Sequence, residues 1–311
     1  MTQGPIRVEI VAPVHNRKEL TLLCLQSLSR INSTGLDVGI VIVDDGSTDG
    51  TSDAIRDQFP SVDIVSGDGE LWFTEGTNVG VRRALERDPK YILLMNDDQV
   101  FDEDFLVRLV ETAERNPRSV VGSLLLLWDT PHKIFQIAPV WSTWHGGWRH
   151  WQSQTVWTVP EKPWKVGLIV GNCVLVPTEA MRECGLMNSK RYPNFGDAEY
   201  TPRLRKAGWN LIIDPRSRVF CQPNTPPGRI RSMGFKKLFN ALFIDLKSFQ
   251  SLRRRFYAYI DTAPTKLHGF AAFFIFLARA ATGYNAETDR WGKAQAEEPL
   301  SKTFGSAVLN D

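Results

Sequence analysis

Asn96-Asp97-Asp98 closes the apolar run Tyr91-Ile92-Leu93-Leu94-Met95. A run of that length reads as a buried strand, and polar residues at its carboxyl end reach the crevice where open α/β sheets bind ligands. Two acids and an amide there can hold a divalent cation. Oxygen-only ligands suit Mg²⁺ or Mn²⁺, the usual companion of a diphosphate. The competing reading is that Asp97 and Asp98 merely lead the next helix, whose Asp102, Glu103 and Asp104 suit a positive N-terminal dipole.

A second acid cluster lies in the same kind of place. Val38-Gly39-Ile40-Val41-Ile42-Val43 is β-branched and apolar, an interior strand. It ends in Asp44-Asp45-Gly46-Ser47-Thr48-Asp49-Gly50-Thr51, turn chemistry followed by a capped helix. Earlier, Val8-Glu9-Ile10-Val11 runs into Ala12-Pro13-Val14-His15-Asn16-Arg17 and a helix from about Lys18 to Ser29. Three strands that each end in polar residues and precede a helix describe an α/β fold, Rossmann-like, with a mostly parallel sheet and one functional edge. Further on, Gly76 and Gly80 flank Asn78 at the expected start of a helix running to about Arg87. Such a helix start lets phosphate or sugar approach closely; ordinary strand-to-helix packing explains the glycines equally well. Asp197 and Glu199 open a helix that later carries Arg203, Arg205 and Lys206, so they are either dipole partners or acids for chemistry.

Taken in order, Pro13-Val14-His15-Asn16, Asp44-Asp45-Gly46-Ser47-Thr48-Asp49, Gly76-Thr77-Asn78-Val79-Gly80 and Asn96-Asp97-Asp98 resemble the motifs of family 2 glycosyltransferases. Gly171-Asn172-Cys173-Val174-Leu175-Val176 and Phe195-Gly196-Asp197-Ala198-Glu199-Tyr200, with Arg203 and Ala207-Gly208-Trp209, continue the likeness. It covers roughly residues 7–221. Leu71-Trp72-Phe73-Thr74-Glu75-Gly76 looks most like bacterial enzymes of cell-surface polysaccharide assembly, including rhamnosyltransferases. The resemblance implies a glycosyltransferase-A fold over residues 1–225, with a nucleotide-sugar half to about 128 and an acceptor half from 129. It also implies inverting transfer from a nucleotide-diphosphate sugar, dTDP-rhamnose or a UDP-sugar, to a glycan or lipid-linked acceptor. On it, Asp98 is the metal-binding acid and Asp97 lies near the ribose or donor sugar. Asn96 stands where many relatives carry the first Asp, and Asp45 meets the nucleobase N3–H. Pro13, His15, Asn16 and Arg17 form the nucleotide-contacting loop, with Gly76 and Asn78 nearby. Trp72, Gly171, Asn172 and Glu199 fall on the acceptor side, and Asp197 is the base. Two departures stand out. Gly196 replaces the first acid of the usual Glu-Asp pair, and Cys221-Gln222-Pro223-Asn224 occupies the place of a metal-ligating His.

Composition sets bounds. The 311 residues are 42% hydrophobic, enough for one large core, or for one core with an appendage. A formal charge of +2 argues against nucleic acid as a partner. Cys24, Cys173, Cys184 and Cys221 have no paired spacing, so neither a zinc site nor a disulfide framework is expected. Met1-Thr2-Gln3-Gly4-Pro5 carries no signal-peptide pattern, which points to the cytoplasm.

The charge is uneven. From Pro226 to Tyr284 ten Lys and Arg face only Asp245 and Asp261, and Pro223, Pro226, Pro227 and Gly228 mark a linker. Residues 226–311 thus read as a basic, aromatic helical extension. Phe239, Leu242, Phe243, Leu246, Phe249 and Leu252 recur at helical spacing, and the apolar run Gly269–Ala278 is too short to span a bilayer. Two readings compete: a helical subdomain packed on the sheet, or a surface resting peripherally on the anionic inner face of the cell membrane near a lipid-linked acceptor. Six of ten tryptophans fall between Trp141 and Trp164 around Gly146-Gly147, an irregular insertion or twisted hairpin that either stacks on sugars or fills a loop-rich core. A homo-oligomer is compatible with all of this. Two rival functions stay open: a non-catalytic sugar- or nucleotide-binding protein of the same fold, and a nucleotidyltransferase. The second lacks its expected Gly-rich, basic phosphate loop.

Overall fold

The computed structural model describes residues 4–136, 140–149, 154–222 and 234–282. The chain begins with β1 (Ile6–Val14), α1 (Lys18–Leu28), β2 (Leu36–Asp44), α2 (Thr51–Gln58), β3 (Asp63–Ser66), α3 (Trp72–Leu85) and β4 (Tyr91–Met95). After the acid triplet come β5 (Gln99–Phe101), α4 (Phe105–Arg115), β6 (Ser119–Leu127) and β7 (Ile134–Gln136). A hairpin of β8 (Val140–Ser142) and β9 (Gly147–Arg149) follows, then β10 (Trp164–Lys165), β11 (Cys173–Pro177), α5 (Thr178–Cys184), α6 (Gly196–Lys206) and β12 (Asn210–Cys221). Three helices close the described chain: α7 (Phe235–Phe239), α8 (Leu252–Thr262) and α9 (Lys266–Ala281).

The main sheet runs β10-β12-β6-β11-β4-β1-β2-β3. It is mixed. The expected parallel arrangement holds for β4-β1-β2-β3 and for β6-β12, while β11 runs against both β4 and β6. This reversal matters for the site. Val14 pairs with Asp44, and Cys173 at the start of β11 pairs with Met95 at the end of β4. The ends of β1, β2, β4 and β12 and the entry to β11 therefore lie along one edge.

β4 and β6 are buried almost throughout because helices cover both faces, so their sequences are continuous apolar runs rather than alternating ones. α4 presents Phe105, Leu106, Leu109, Val110 and Ala113 to the sheet at helical spacing. Glu9, fully buried in β1, is held by Arg7 and by Arg87 (3.0 Å); a side chain at Gly39 on the neighbouring strand would collide with it.

α3 begins at Trp72, earlier than its glycines suggested. Gly76 and Asn78 therefore lie inside the helix and not at its N-terminus. The start is set from outside: the Asp45 carboxylate accepts Gly69 N–H (2.8 Å), Leu71 N–H (3.2 Å) and Trp72 N–H (2.9 Å), the donors a helix start leaves unpaired. The tail also differs from a single helix over 239–252. α7 passes into a π turn at Asn240–Ile244, and Asp245 breaks it by turning extended and accepting Lys247 N–H (2.8 Å). α8 restarts behind Ser251, whose hydroxyl caps it by accepting Arg254 N–H.

The first part of the Trp-rich segment, Val140–Arg149, forms the β8–β9 hairpin and packs on the tail, while Trp164 lies in β10 of the main sheet. Trp148 Nε1 donates to Thr262 Oγ1 (2.8 Å), Trp141 meets Tyr259 edge-on, and Gly146 lies against Phe276. Trp151 and the expected linker and boundary at 225/226 lie outside the described residues.

Candidate active site

The strand ends place two turns against each other. Asn16, at φ 50°, donates its backbone N–H to Ser47 Oγ (2.8 Å), and its side-chain oxygen accepts Thr48 N–H (2.7 Å). His15 Nδ1 lies 2.6 Å from the Asp45 carbonyl oxygen. The Pro13–Arg17 loop and the Asp44–Asp49 turn are thus one hydrogen-bonded unit. Asp45 faces inward and already receives three backbone N–H groups, so only a remaining lone pair is left to meet a base edge. Gly76 is where α3 crosses Pro13: an added Cβ would stand 2.9 Å from Pro13 Cβ. Asn78 is buried and clips the 187 loop, donating to Met187 O (2.9 Å) and accepting Met187 N–H (3.1 Å). The structure thus gives Gly76 and Asn78 packing duties beneath the site.

At the end of β4 the three residues of the triplet are used differently. Asp97 turns into the protein, accepting from Arg17 Nη1 (3.0 Å) and Thr21 Oγ1 (2.8 Å). Burial raises its pKa to about 6 even though Arg17 pulls the other way. Asp98 accepts Arg17 Nη2 (2.9 Å) on one oxygen, while its Oδ1 is buried with no donor. Asn96 Oδ1 and Gln99 Oε1 are likewise buried acceptors without a partner. Gln99 donates its Nε2 to Asn172 O (2.7 Å), which fixes the amide orientation and leaves the oxygen bare. Three orphan oxygens within four residues is unusual, because each buried acceptor left unpaired costs about 1–3 kcal/mol.

This donor set fits Mg²⁺ or Mn²⁺ only as a shared ligand. Among the described residues no group of three His, Cys, Asp or Glu is placed to hold a metal. One carboxylate oxygen with amide oxygens suits a hard cation that completes its shell with substrate phosphates. Cys221 does not replace the missing His. Burial, then the nearby Asp98, pushes its thiol well above the usual range, and sulfur is in any case a soft donor that suits neither Mg²⁺ nor Mn²⁺. Arg17 already supplies a fixed positive charge: burial alone would lower its pKa, and the Asp97 and Asp98 carboxylates more than reverse that.

The other side of the site is tied to the first by two consecutive residues. Asn172 O accepts Asn96 N–H (3.3 Å) as well as Gln99 Nε2, and Gly171 N–H donates to Asp197 Oδ2 (2.8 Å). Thr201 Oγ1 donates to Ile169 O (2.8 Å) and accepts Ile169 N–H (3.1 Å), clamping this segment to α6. Gly171 has no room for a side chain, since a Cβ would collide with Asp197 Cβ. Burial raises the Asp197 pKa against the lowering effect of the Gly171 and Ala198 N–H groups. Gly196 likewise has no space: a Cβ there would stand 2.8 Å from Thr74 Oγ1, which accepts Gly196 N–H (3.1 Å). Thr74 occupies the volume that a first acid would need.

Glu199 is buried, with Oε1 on Arg203 (2.7 Å) and Oε2 unpaired; burial raises its pKa despite Arg203. Trp72 is 40% exposed. Sequence reasoning missed Gln99, whose only signal is an amide beside the triplet at the start of a strand. It also missed Lys247, whose Nζ lies 4.5 Å above the Trp72 ring and has no local signal at all.

Residues 9–155 match the family described as Glycosyl transferase family 2. An N-acetylglucosaminyl-diphospho-decaprenol L-rhamnosyltransferase of Mycobacterium tuberculosis is 24% identical over 220 residues, 63% of this chain and 70% of that protein. An N-acetylglucosaminyltransferase of Azorhizobium caulinodans is 32% identical over 128 residues, 38% of this chain and 30% of the relative. Among solved structures, GalNAc-T7 with UDP, GalNAc and Mn²⁺ superposes at a TM-score of 0.60 and 12% identity, over 93% of this chain and 59% of that one. A mannosyltransferase from Pyrobaculum calidifontis with GDP-Man and Mn²⁺ gives 0.51 and 16%, over 91% and 77%. The fold is the glycosyltransferase-A fold with C-terminal helices.

Proposed function

We propose, from the premise that this chain carries a glycosyl transferase family 2 domain over residues 9–155, that it is an inverting, metal-assisted transferase. It moves a sugar from a nucleotide-diphosphate donor to a hydroxyl of a lipid-linked, cell-surface glycan precursor. The observation that carries this reading is the Gly171-Asn172 link: Gly171 N–H holds Asp197 while Asn172 O holds Asn96 N–H and Gln99 Nε2, the two residues that carry orphan oxygens on either side of Asp98.

The acceptor oxygen attacks the anomeric carbon while its proton passes to Asp197. The bond from that carbon to the diphosphate oxygen breaks, and its electron pair leaves with the nucleoside diphosphate. Asp197 serves as base because burial raises its proton affinity while Gly171 N–H fixes its orientation. A single base acting in one displacement inverts the anomeric centre. A bound Mg²⁺ or Mn²⁺, held by Asp98 Oδ1 with Asn96 and Gln99, would offset the charge that develops on the leaving diphosphate. Arg17 adds a second positive charge on that side, and Pro13, His15, Asn16 and Asp45 shape the nucleotide pocket. Trp72, Asn172 and Glu199 border the acceptor.

The rhamnosyltransferase relative supports a rhamnosyl donor, which we take as dTDP-rhamnose, and a polyprenyl-diphosphate acceptor, and the UDP complex of GalNAc-T7 keeps a UDP-sugar in the panel. A lipid-linked acceptor calls for membrane contact at the cytoplasmic face. No helix among the described residues is long and apolar enough to cross a membrane. The tail instead presents Phe235, Phe239, Phe243 and Ile244 along one exposed stripe, and Leu267, Phe270 and Phe274 along another, with Lys236, Lys237 and Lys266 among them. Apolar and basic signals together are what reversible docking on anionic lipid needs. We assign residues 1–225 to the catalytic domain and 226–311 to this docking region.

A non-catalytic nucleotide-binding reading draws on one observation, the absence of a three-acid metal cluster among the described residues. Nucleoside diphosphate release, measured across a panel of sugar nucleotides with a polyprenyl-diphosphate acceptor, separates the two. Release should stop in excess chelator and return with Mg²⁺ or Mn²⁺, and Asp98→Asn should cost about 10²–10³-fold. Full turnover in chelator would remove the metal from the reaction, and no release with any donor would favour the binding protein.

A further inference from the structure

We infer that Lys247, on the segment between α7 and α8, is a positioning residue for the donor pocket. Residues 245–254 form a strap joining that pocket to the base. The inference rests on the proposed donor side for its function, but its geometry stands independently.

The turn at 69–72 has to be held. Trp72 adopts a φ of 59°, a left-handed conformation that a bulky L-residue occupies only when its surroundings impose it. From inside, the Asp45 carboxylate grips the turn through the N–H groups of Gly69, Leu71 and Trp72. From outside, Lys247 closes it. Its ammonium lies 4.5 Å above the Trp72 ring and 2.7 Å from Glu70 Oε2, so one cation holds both ends of a three-residue stretch.

The same segment reaches the other half of the site. Lys247 O accepts Asn194 Nδ2 (2.6 Å), and Phe249 packs edge-on against Phe195 at 5.4 Å. Asn194 and Phe195 lead directly into Gly196 and Asp197. Arg254 stiffens the strap: it lies 4.3 Å over the Phe195 ring and donates to Leu246 O (3.2 Å) and Phe249 O (3.3 Å). Burial lowers its pKa to about 10, so it remains charged at neutral pH. The strap thus touches the turn that shapes the Asp45 pocket and the loop that delivers Asp197. The C-terminal region contributes to the site itself as well as to the surface.

The test uses the full chain with Lys247→Met, which keeps length and loses charge, Lys247→Arg, which keeps a cation over the indole, and Phe249→Ala. Amide hydrogen exchange reads the strap directly. In Lys247→Met the amides of Gly69, Leu71 and Trp72 should exchange about tenfold faster, and Lys247→Arg should restore them. Phe249→Ala should speed exchange at 194–197. Calorimetry with UDP and dTDP then reads the functional consequence. Whichever nucleotide the wild type binds should bind Lys247→Met about tenfold more weakly, and in turnover the donor KM should rise while kcat stays within a few-fold. Unchanged exchange at 69–72 in Lys247→Met, or equal effects of Met and Arg, would overturn the inference. So would a uniform rise in exchange across the chain, which marks general destabilisation. If the wild type binds neither nucleotide while exchange responds as expected, the strap stands and the donor reading falls.

Discussion

Gly171→Ala tests whether Asp197 is held in place by its neighbour or merely lies beside it. Gly171 does not occupy the left-handed region, so its backbone accepts alanine without strain and any effect is steric. The new methyl would stand 2.8 Å from Asp197 Cγ and 3.1 Å from Oδ2, and closer still to Cβ. Unstrained carbon contacts begin at about 3.5 Å, so the carboxylate must withdraw by about 0.7 Å or more and its bond to Gly171 N–H lengthens. A displacement of about 1 Å in a reacting group is worth about 10²-fold in rate, near 2.7 kcal/mol. Single-turnover transfer should fall by that factor, while UDP or dTDP affinity, measured by calorimetry, stays close to wild type. The double variant with Asp197→Asn supplies the control. If Gly171→Ala acts through Asp197, the pair should be no slower than Asp197→Asn alone, because the two changes remove one function. Normal turnover in a folded Gly171→Ala protein, or multiplicative losses in the double variant, would refute the reasoning.

Asp197→Asn should lower transfer by about 10²–10⁴-fold and leave donor binding intact, and it should abolish the acid limb of the pH–rate profile. That limb should lie above the ordinary aspartate range because burial raises the Asp197 pKa; a limb near pH 4 would count against it. A raised folded-state pKa means that the folded protein binds this proton more tightly than the unfolded chain. The resulting stabilisation is complete below the unfolded pKa and is lost as pH rises through the folded one. Asp197→Asn should therefore match or exceed the wild-type Tm at neutral pH, with the gap closing in acid, and a lower Tm at pH 7 alone would contradict this. Gly196→Ala forces a methyl toward Thr74 and should cost about 1–3 kcal/mol in urea unfolding without restoring any acid function; a neutral result would mean the α6 start is loosely packed. Phe239→Ser with Phe243→Ser should weaken sedimentation with anionic liposomes at low salt while soluble-acceptor turnover persists. Unchanged sedimentation would make the stripe a contact for something other than lipid.

How much of this was legible in the sequence depends on which kind of contact carried the information. Strand ends could be read because burial on both faces writes itself as an apolar run, so β2 and β4 and the acids behind them were visible at once. Their shared edge followed from parallel order. What could not be read was the reversal of β11, since a fully buried strand looks the same in either direction, and it is this reversal that brings Gly171 and Asn172 beside Asn96. The start of α3 failed for a related reason. Its capping group is Asp45, twenty-seven residues before Trp72, so the local signals pointed to the glycines and misplaced Gly76 and Asn78.

The acids themselves show the deeper limit. Asp45, Asp97 and Asp98 are the same residue type in the same kind of place, yet only Asp98 keeps an oxygen free. The difference lies in who reaches them: three backbone N–H groups for Asp45, Arg17 and Thr21 for Asp97, Arg17 alone for Asp98. A carboxylate has a fixed number of lone pairs, and each one committed to holding the fold is withdrawn from a ligand. Residue type and spacing can nominate a site, but its chemistry is decided by the donors left over after folding. By that measure the buried oxygens left bare at this edge are those of Asp98, Asn96 and Gln99, and it is on them that the proposed cation site rests. Asp45, Asp97 and Arg17 hold the frame in which those oxygens stay bare.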